Sequence, residues 1–167
     1  MTREEIAVLF DYDQWATKKL LDVIARIPED LYARNLGSSH GGLRGTLVHM
    51  IGAGDVWLKR WKGQSPTAQW NEGDFSTFSS IAEAWKSFAA AFDDYFKTVT
   101  DEQLSSPHPY RDMKGNPYKT VLWKQMHHLV NHGSYHRGQL VTMLRLSGVR
   151  PVGTDLIYYF REKEKNG

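Results

Sequence analysis

The chain has 167 residues, with 21 Lys and Arg against 19 Asp and Glu, 41% hydrophobic residues, seven histidines and no cysteine. That length closes a core as one domain, residues 1–167, and the lack of cysteine excludes disulfides, thiolate zinc sites, iron–sulfur clusters and a cysteine nucleophile. The net charge is only +2 and Lys59, Arg60 and Lys62 are the densest basic group, while Met1 to Ile6 is no signal peptide and no long apolar run occurs, so the expectation is a soluble cytoplasmic protein that binds neither nucleic acid nor membrane.

Taken in chain order, Ile6, Leu9, Phe10, Ala16, Leu20, Val23, Ile24 and Ile27 recur at three-and-four spacing and predict a first helix over Glu4 to Ile27, closed by Pro28. A Gly- and Ser-rich loop, Asn35 to Gly42, leads to a second helix from about Leu43 to Lys62, ended by Gly63. The segment from Gly63 to Phe78 is longer than a tight turn needs and suits a crossover. Ser80 to Glu83 has the pattern of a capping box, and a third helix follows to about Val99. Three prolines between Ser105 and Lys119 predict an irregular loop or a small hairpin. The longest helix runs from about Thr120 to Ser147 and ends at Gly148 and Pro151; Thr154 and Asp155 then cap a short terminal helix through Phe160. Four long amphipathic helices must bury their stripes on one another, so the expected class is all-α: a four-helix bundle with a long connection between the second and third helices and a short C-terminal helix.

Four of the histidines, His127, His128, His132 and His136, fall within ten positions of the last long helix. Residues four apart lie one turn apart on nearly the same face, so His132 and His136 can aim at one ion. His128 and His136 are separated by roughly 12 Å along the axis, too far for all three to share a metal held at about 2.1 Å. A third ligand must come from another helix, and His49, amid Leu47, Val48, Met50 and Ile51, is weighed as a hydrogen-bonded core residue against that third ligand. His40 and His108 fall in loops with no assigned task. Asp13 is weighed as an exposed carboxylate against a group that orients a ligand imidazole. Arg137 and Gln139 are weighed as solvated residues against groups near the ion or substrate, and His128 as a core residue against an acid or base.

The stretch His132 to Gln139, followed by Leu140, Gly148, Pro151, Thr154 and Asp155, resembles the C-terminal signature of the DinB/YfiT-like metalloenzyme superfamily. Tyr12 to Ala16 resembles that family's first-helix motif and Leu47 to His49 its second-helix histidine, so the resemblance covers Tyr12 to about Tyr159. It implies a four-helix bundle, often a homodimer, in which His49, His132 and His136 hold a divalent ion, commonly nickel or zinc, with positions open to a small-molecule substrate. It further implies a transferase or isomerase using a low-molecular-weight thiol such as bacillithiol or mycothiol as cosubstrate. Relatives often carry a carboxylate about five residues after the helix-two histidine; here that position is Gly54, with Asp55 beside it.

Three neutral imidazoles leave an ion its full charge and open positions, which suits a Lewis acid. Three functions follow as alternatives: thiol transfer with the nucleophile brought by the cosubstrate, hydrolysis by activated water with His128 or Asp13 accepting a proton, or a non-catalytic metal- or ligand-binding bundle.

Overall fold

A computed structural model describes residues 1–166. The four long helices form where periodicity puts them: α1 (Arg3–Ile24), α3 (Leu43–Trp61), α4 (Phe78–Lys97) and α6 (Leu122–Leu146). Three further helices join them: α2 (Glu29–Ala33), α5 (Asp101–Ser105) and the terminal α7 (Leu156–Asn166). The predicted capping box at Ser80 is corrected. Thr77 is the N-cap of α4, its hydroxyl accepting from the Ser80 backbone N–H at 3.3 Å, so the helix starts before Ser80.

The chain is mostly helical rather than all-α, and of the two readings for Ser105 to Lys119 it is the hairpin that forms. Pro107–Arg111 (β1) and Pro117–Val121 (β2) form an antiparallel hairpin with Tyr110 opposite Tyr118. Asp112 makes the turn, accepting from the backbone N–H groups of Lys114 at 2.8 Å and Asn116 at 2.9 Å, and Gly115 takes φ +84°. Backbone and side-chain acceptors thus satisfy a segment whose prolines prevent helix. Gln125 fastens the hairpin to the helices by donating to the carbonyls of His108 and Thr120 and accepting from the Trp61 indole. His108 therefore lies on a strand rather than in a loop.

Two apolar clusters make up the core. One gathers Ile6 and Phe10 from the first half of α1, Leu58 and Trp61 from the end of α3, Phe92 from late in α4, and Met126 and Val130 from early in α6. The other gathers Leu20 and Ile24, Leu43 and Leu47, Ile81, and Leu140 and Leu144. This pairing of ends makes α1 parallel to α6 and α3 parallel to α4, with the two pairs antiparallel. The long segment 62–77 is accordingly a crossover that returns the chain to the end where α3 began. No described helix is long and apolar enough to cross a membrane.

On α1 and α6 a polar layer separates the clusters. Arg137, 1% exposed, ion-pairs with Asp13, 8% exposed, and also donates to the hydroxyls of Thr17 at 3.2 Å and Ser134 at 2.8 Å. Its guanidinium packs over the Tyr12 ring. Burial opposes the charge on Arg137, but the Asp13 carboxylate outweighs it and holds the guanidinium above its ordinary pKa. The readings of Asp13 as an exposed carboxylate and Arg137 as a solvated residue are thereby corrected. Gly133 creates the space: a Cβ there would stand 2.5 Å from Asp13 Oδ1 and 3.0 Å from Arg137 Nη1.

Asp13→Ala strands a buried guanidinium and is expected to lower the unfolding free energy by about 3–5 kcal/mol in urea titrations. Gly133→Ala is expected to lose about 1–3 kcal/mol by overpacking, although alanine is intrinsically the better helix former by about 1 kcal/mol. A neutral or stabilising result would show that α1 and α6 are not locked through this pair.

Candidate metal centre

One residue before each of Gly133 and Arg137, about 100° around α6, stand His132 and His136. With α1 holding one face of α6, these imidazoles turn toward α3 and meet His49. Ring centroids lie 4.4 Å apart for His132 and His136, 4.6 Å for His49 and His136, and 5.0 Å for His49 and His132. Their planes are mutually inclined by 61° to 74°. The structure thus brings together the three histidines that spacing and resemblance single out.

A fourth imidazole joins them. His40 stacks face to face on His49, with centroids 3.8 Å apart and planes 14° from parallel. The ligand nitrogens of His40, His49 and His136 all fall within 4.8 Å of one another. Sequence reasoning left His40 unassigned because loop positions have no periodicity. The available signal was the surrounding glycines. Gly41 takes φ +76°, and Gly45 lets α3 close on the loop, since a Cβ there would sit 2.0 Å from the His40 carbonyl oxygen.

The nitrogen distances favour His40 as a ligand, whereas ring orientation favours His132. Stacked, nearly parallel imidazoles carry in-plane lone pairs in separate parallel planes, while the planes of inclined rings intersect and can share one point. His132 also has a buried Nε2 with no hydrogen-bond partner among the described residues. Buried ring nitrogens normally find a partner, so an unsatisfied one on a ring among other imidazoles is a candidate metal ligand. His49, His132 and His136 are therefore the candidate ligand set, with His40 stacked beside it.

The protonation states agree with that use. Burial, followed by repulsion from the neighbouring imidazoles, pushes His49 and His132 down to about 4. Burial also lowers His136, partly opposed by its hydrogen bond to Gln139. The Gln139 Oε1 lies 2.7 Å from His136 Nδ1. A carboxamide oxygen only accepts, so Nδ1 carries the proton and Nε2 keeps its lone pair. Gln139 thus orients a candidate ligand. Imidazole nitrogens are a donor set that suits nickel, zinc or copper better than calcium or magnesium.

His128 is exposed, its ring 5.9 Å from His132 and 5.4 Å from Trp57, which corrects its placement in the core. Gly54 faces a void of about 10 Å³ shared with His132 and Asp13, and a Cβ at this position would meet the Phe88 ring at 2.7 Å. An aromatic ring therefore fills the direction in which a side chain at position 54 would project. Asp55 does not replace that side chain, since its carboxylate accepts from Lys59 at 2.7 Å and from the Trp70 indole at 3.0 Å.

Outside the imidazoles lies a cavity of about 290 Å³. One face of α3 forms its floor through His49, Ala53, Val56, Trp57 and Arg60; the crossover contributes Gln69, Trp70 and Glu72, the hairpin turn Met113, and His40 completes it. Trp70 packs against the bare backbone of Gly52, where a Cβ would lie 3.3 Å from it. The chamber mixes apolar walls with polar groups and is sized for a small organic molecule.

The DinB family model matches residues 1–166. Protein DinB of Bacillus subtilis (strain 168) is 25% identical over 170 residues, covering 93% of this chain and 94% of that protein. The crystal structure of a DinB-like protein from Bacillus cereus ATCC 10987 has the same fold, with a TM-score of 0.63 at 20% identity over 91% of this chain and 97% of that one. With the family's model matched across the described chain, the protein belongs to the DinB family.

Proposed function

We propose that this protein is a bundle-type, divalent-metal-dependent enzyme that activates a low-molecular-weight thiol for transfer to an electrophile, with nickel or zinc held by His49, His132 and His136. The observation that carries the metal is the buried, unpartnered Nε2 of His132 beside two inclined imidazoles. When bound, an ion held only by neutral imidazoles supplies a Lewis acid of undiminished charge, able to lower a thiol's pKa. The thiol itself rests on the family resemblance, supported by a chain without cysteine that needs its nucleophile from outside.

The remaining work falls to the chain's own groups. Gln139 fixes the His136 tautomer, and the Asp13–Arg137 pair fixes the rotation of the helix that presents both α6 imidazoles. His40 borders the cavity next to His49 and serves as acceptor for the thiol proton, with His128 further out as a relay to solvent. The apolar walls of Val56, Trp57 and Trp70 bind the organic part of the substrates and exclude water.

The purified protein is expected to bind about one ion per chain. His49→Ala, His132→Ala and His136→Ala should each lose it while retaining the helical circular dichroism spectrum, and His40→Ala should keep it. Equal metal in wild type and all variants defeats the metal reading, and loss in His40→Ala with retention in His132→Ala moves the ligand set to His40, His49 and His136.

Acid should destabilise the metal-free protein. His49 and His132 have folded pKa values depressed to about 4 from the ordinary 6.5, so the unfolded chain takes up protons that the folded state refuses. Stability is therefore present above about pH 6.5 and lost as pH falls toward 4. Urea midpoints of the metal-free His49→Gln/His132→Gln double variant should change less across this window than those of wild type; equal slopes would contradict the shifts.

A further inference from the structure

The cavity has a second polar end. Arg60 lies on α3 eleven residues after His49, which is three turns plus about 20°, so both side chains share one face roughly 16 Å apart along the axis. Arg60 is only 6% exposed and borders the cavity, yet it forms no ion pair with a described residue. Its Nε is buried without a hydrogen-bond partner.

Two aromatic rings stand beside the guanidinium. Its Cζ lies 4.6 Å from the Trp57 ring centre and 5.5 Å from that of Tyr110. The face of an aromatic ring attracts a cation without filling its N–H donors as an oxygen acceptor would. The acidic groups nearby are committed elsewhere: Asp112 to the hairpin turn through Lys114 and Asn116, and Glu72 to Arg44 at 2.7 Å. A buried cation with unfilled donors, next to a chamber with apolar walls, is a ready subsite for an anion.

We propose that Arg60 binds a carboxylate of the substrate or cosubstrate, holding an elongated organic molecule by its anionic end while the other end reaches the imidazole cluster. The inference deepens the proposed function and relies on it only for what occupies the far end. A carboxylate matches the subsite better than a phosphate does: one unpaired guanidinium balances one negative charge, and Glu72 and Asp112 repel a dianion. Met113 and Tyr110 place the hairpin beside this subsite, so the element that departs from an all-helical chain helps to build it.

The test is calorimetric titration of metal-loaded and metal-free protein with mercaptooctanoate and with its methyl ester, which differ in the charge at one end. Wild type is expected to bind the acid on the order of tenfold or more tightly than the ester. That preference should vanish in Arg60→Gln and persist in reduced form in Arg60→Lys. Equal affinity for acid and ester in wild type overturns the inference without any variant, and a full preference in folded Arg60→Gln overturns it by placing the anion elsewhere. Metal content measured on the same samples separates the two proposals. A wild type that holds no ion but prefers the acid refutes the metal reading and keeps the subsite, whereas a loaded protein indifferent to the acid does the reverse.

Discussion

The rotation of α6 about its own axis is the constraint on which the rest depends. This helix presents apolar residues to both core clusters, a guanidinium to α1 and two imidazoles to α3. At about 100° per residue, a slip of one position would carry His132 and His136 away from His49. The buried Asp13–Arg137 pair opposes that slip because a misplaced guanidinium would be left charged and dry. Gly133 lets α1 come close enough for the pair to form. Apolar packing alone would hold the helices together with less control of angle, since Leu and Met repack more readily than a hydrogen-bonded ion pair does.

Dividing the core into two apolar clusters leaves a middle level where polar groups satisfy one another. The imidazoles occupy its α3 side and remain incompletely satisfied, as the Nε2 of His132 shows. Their depressed pKa values come mainly from the burial that the clusters impose, so the hydrophobic core prepares neutral nitrogen donors for a cation. The crossover and the hairpin then roof the open face of α3 and turn an exposed helix surface into a chamber.

The long helices were legible because period 3.6 in apolar residues reports burial directly, and the paired histidines were legible because their spacing is itself helical. Periodicity identifies a face but not what lies opposite it. Asp13 and Arg137 are 124 residues apart, and neither signals the other locally, so their pairing is not legible in the sequence. His40 was hidden for another reason: a loop residue reaches a site by backbone path, and Gly41 and Gly45 mark that path only once α3 is in place. Arg60 stands out in the sequence only as part of the densest basic group, and the fold alone places Trp57 and Tyr110 beside it. The hairpin stayed ambiguous because proline rules out helix without choosing between loop and strand.

Because α3 and α4 run parallel, the chain between them must travel back along a helix of about 28 Å. That journey sets a minimum length for residues 62–77 and asks almost nothing of their identity beyond anchors such as Trp70. The same stretch supplies a wall of the chamber through Gln69, Trp70 and Glu72. Mutational drift can therefore remodel the chamber while the histidine-bearing helices stay unaltered, which makes the crossover the natural place for descendants of this fold to acquire new substrates.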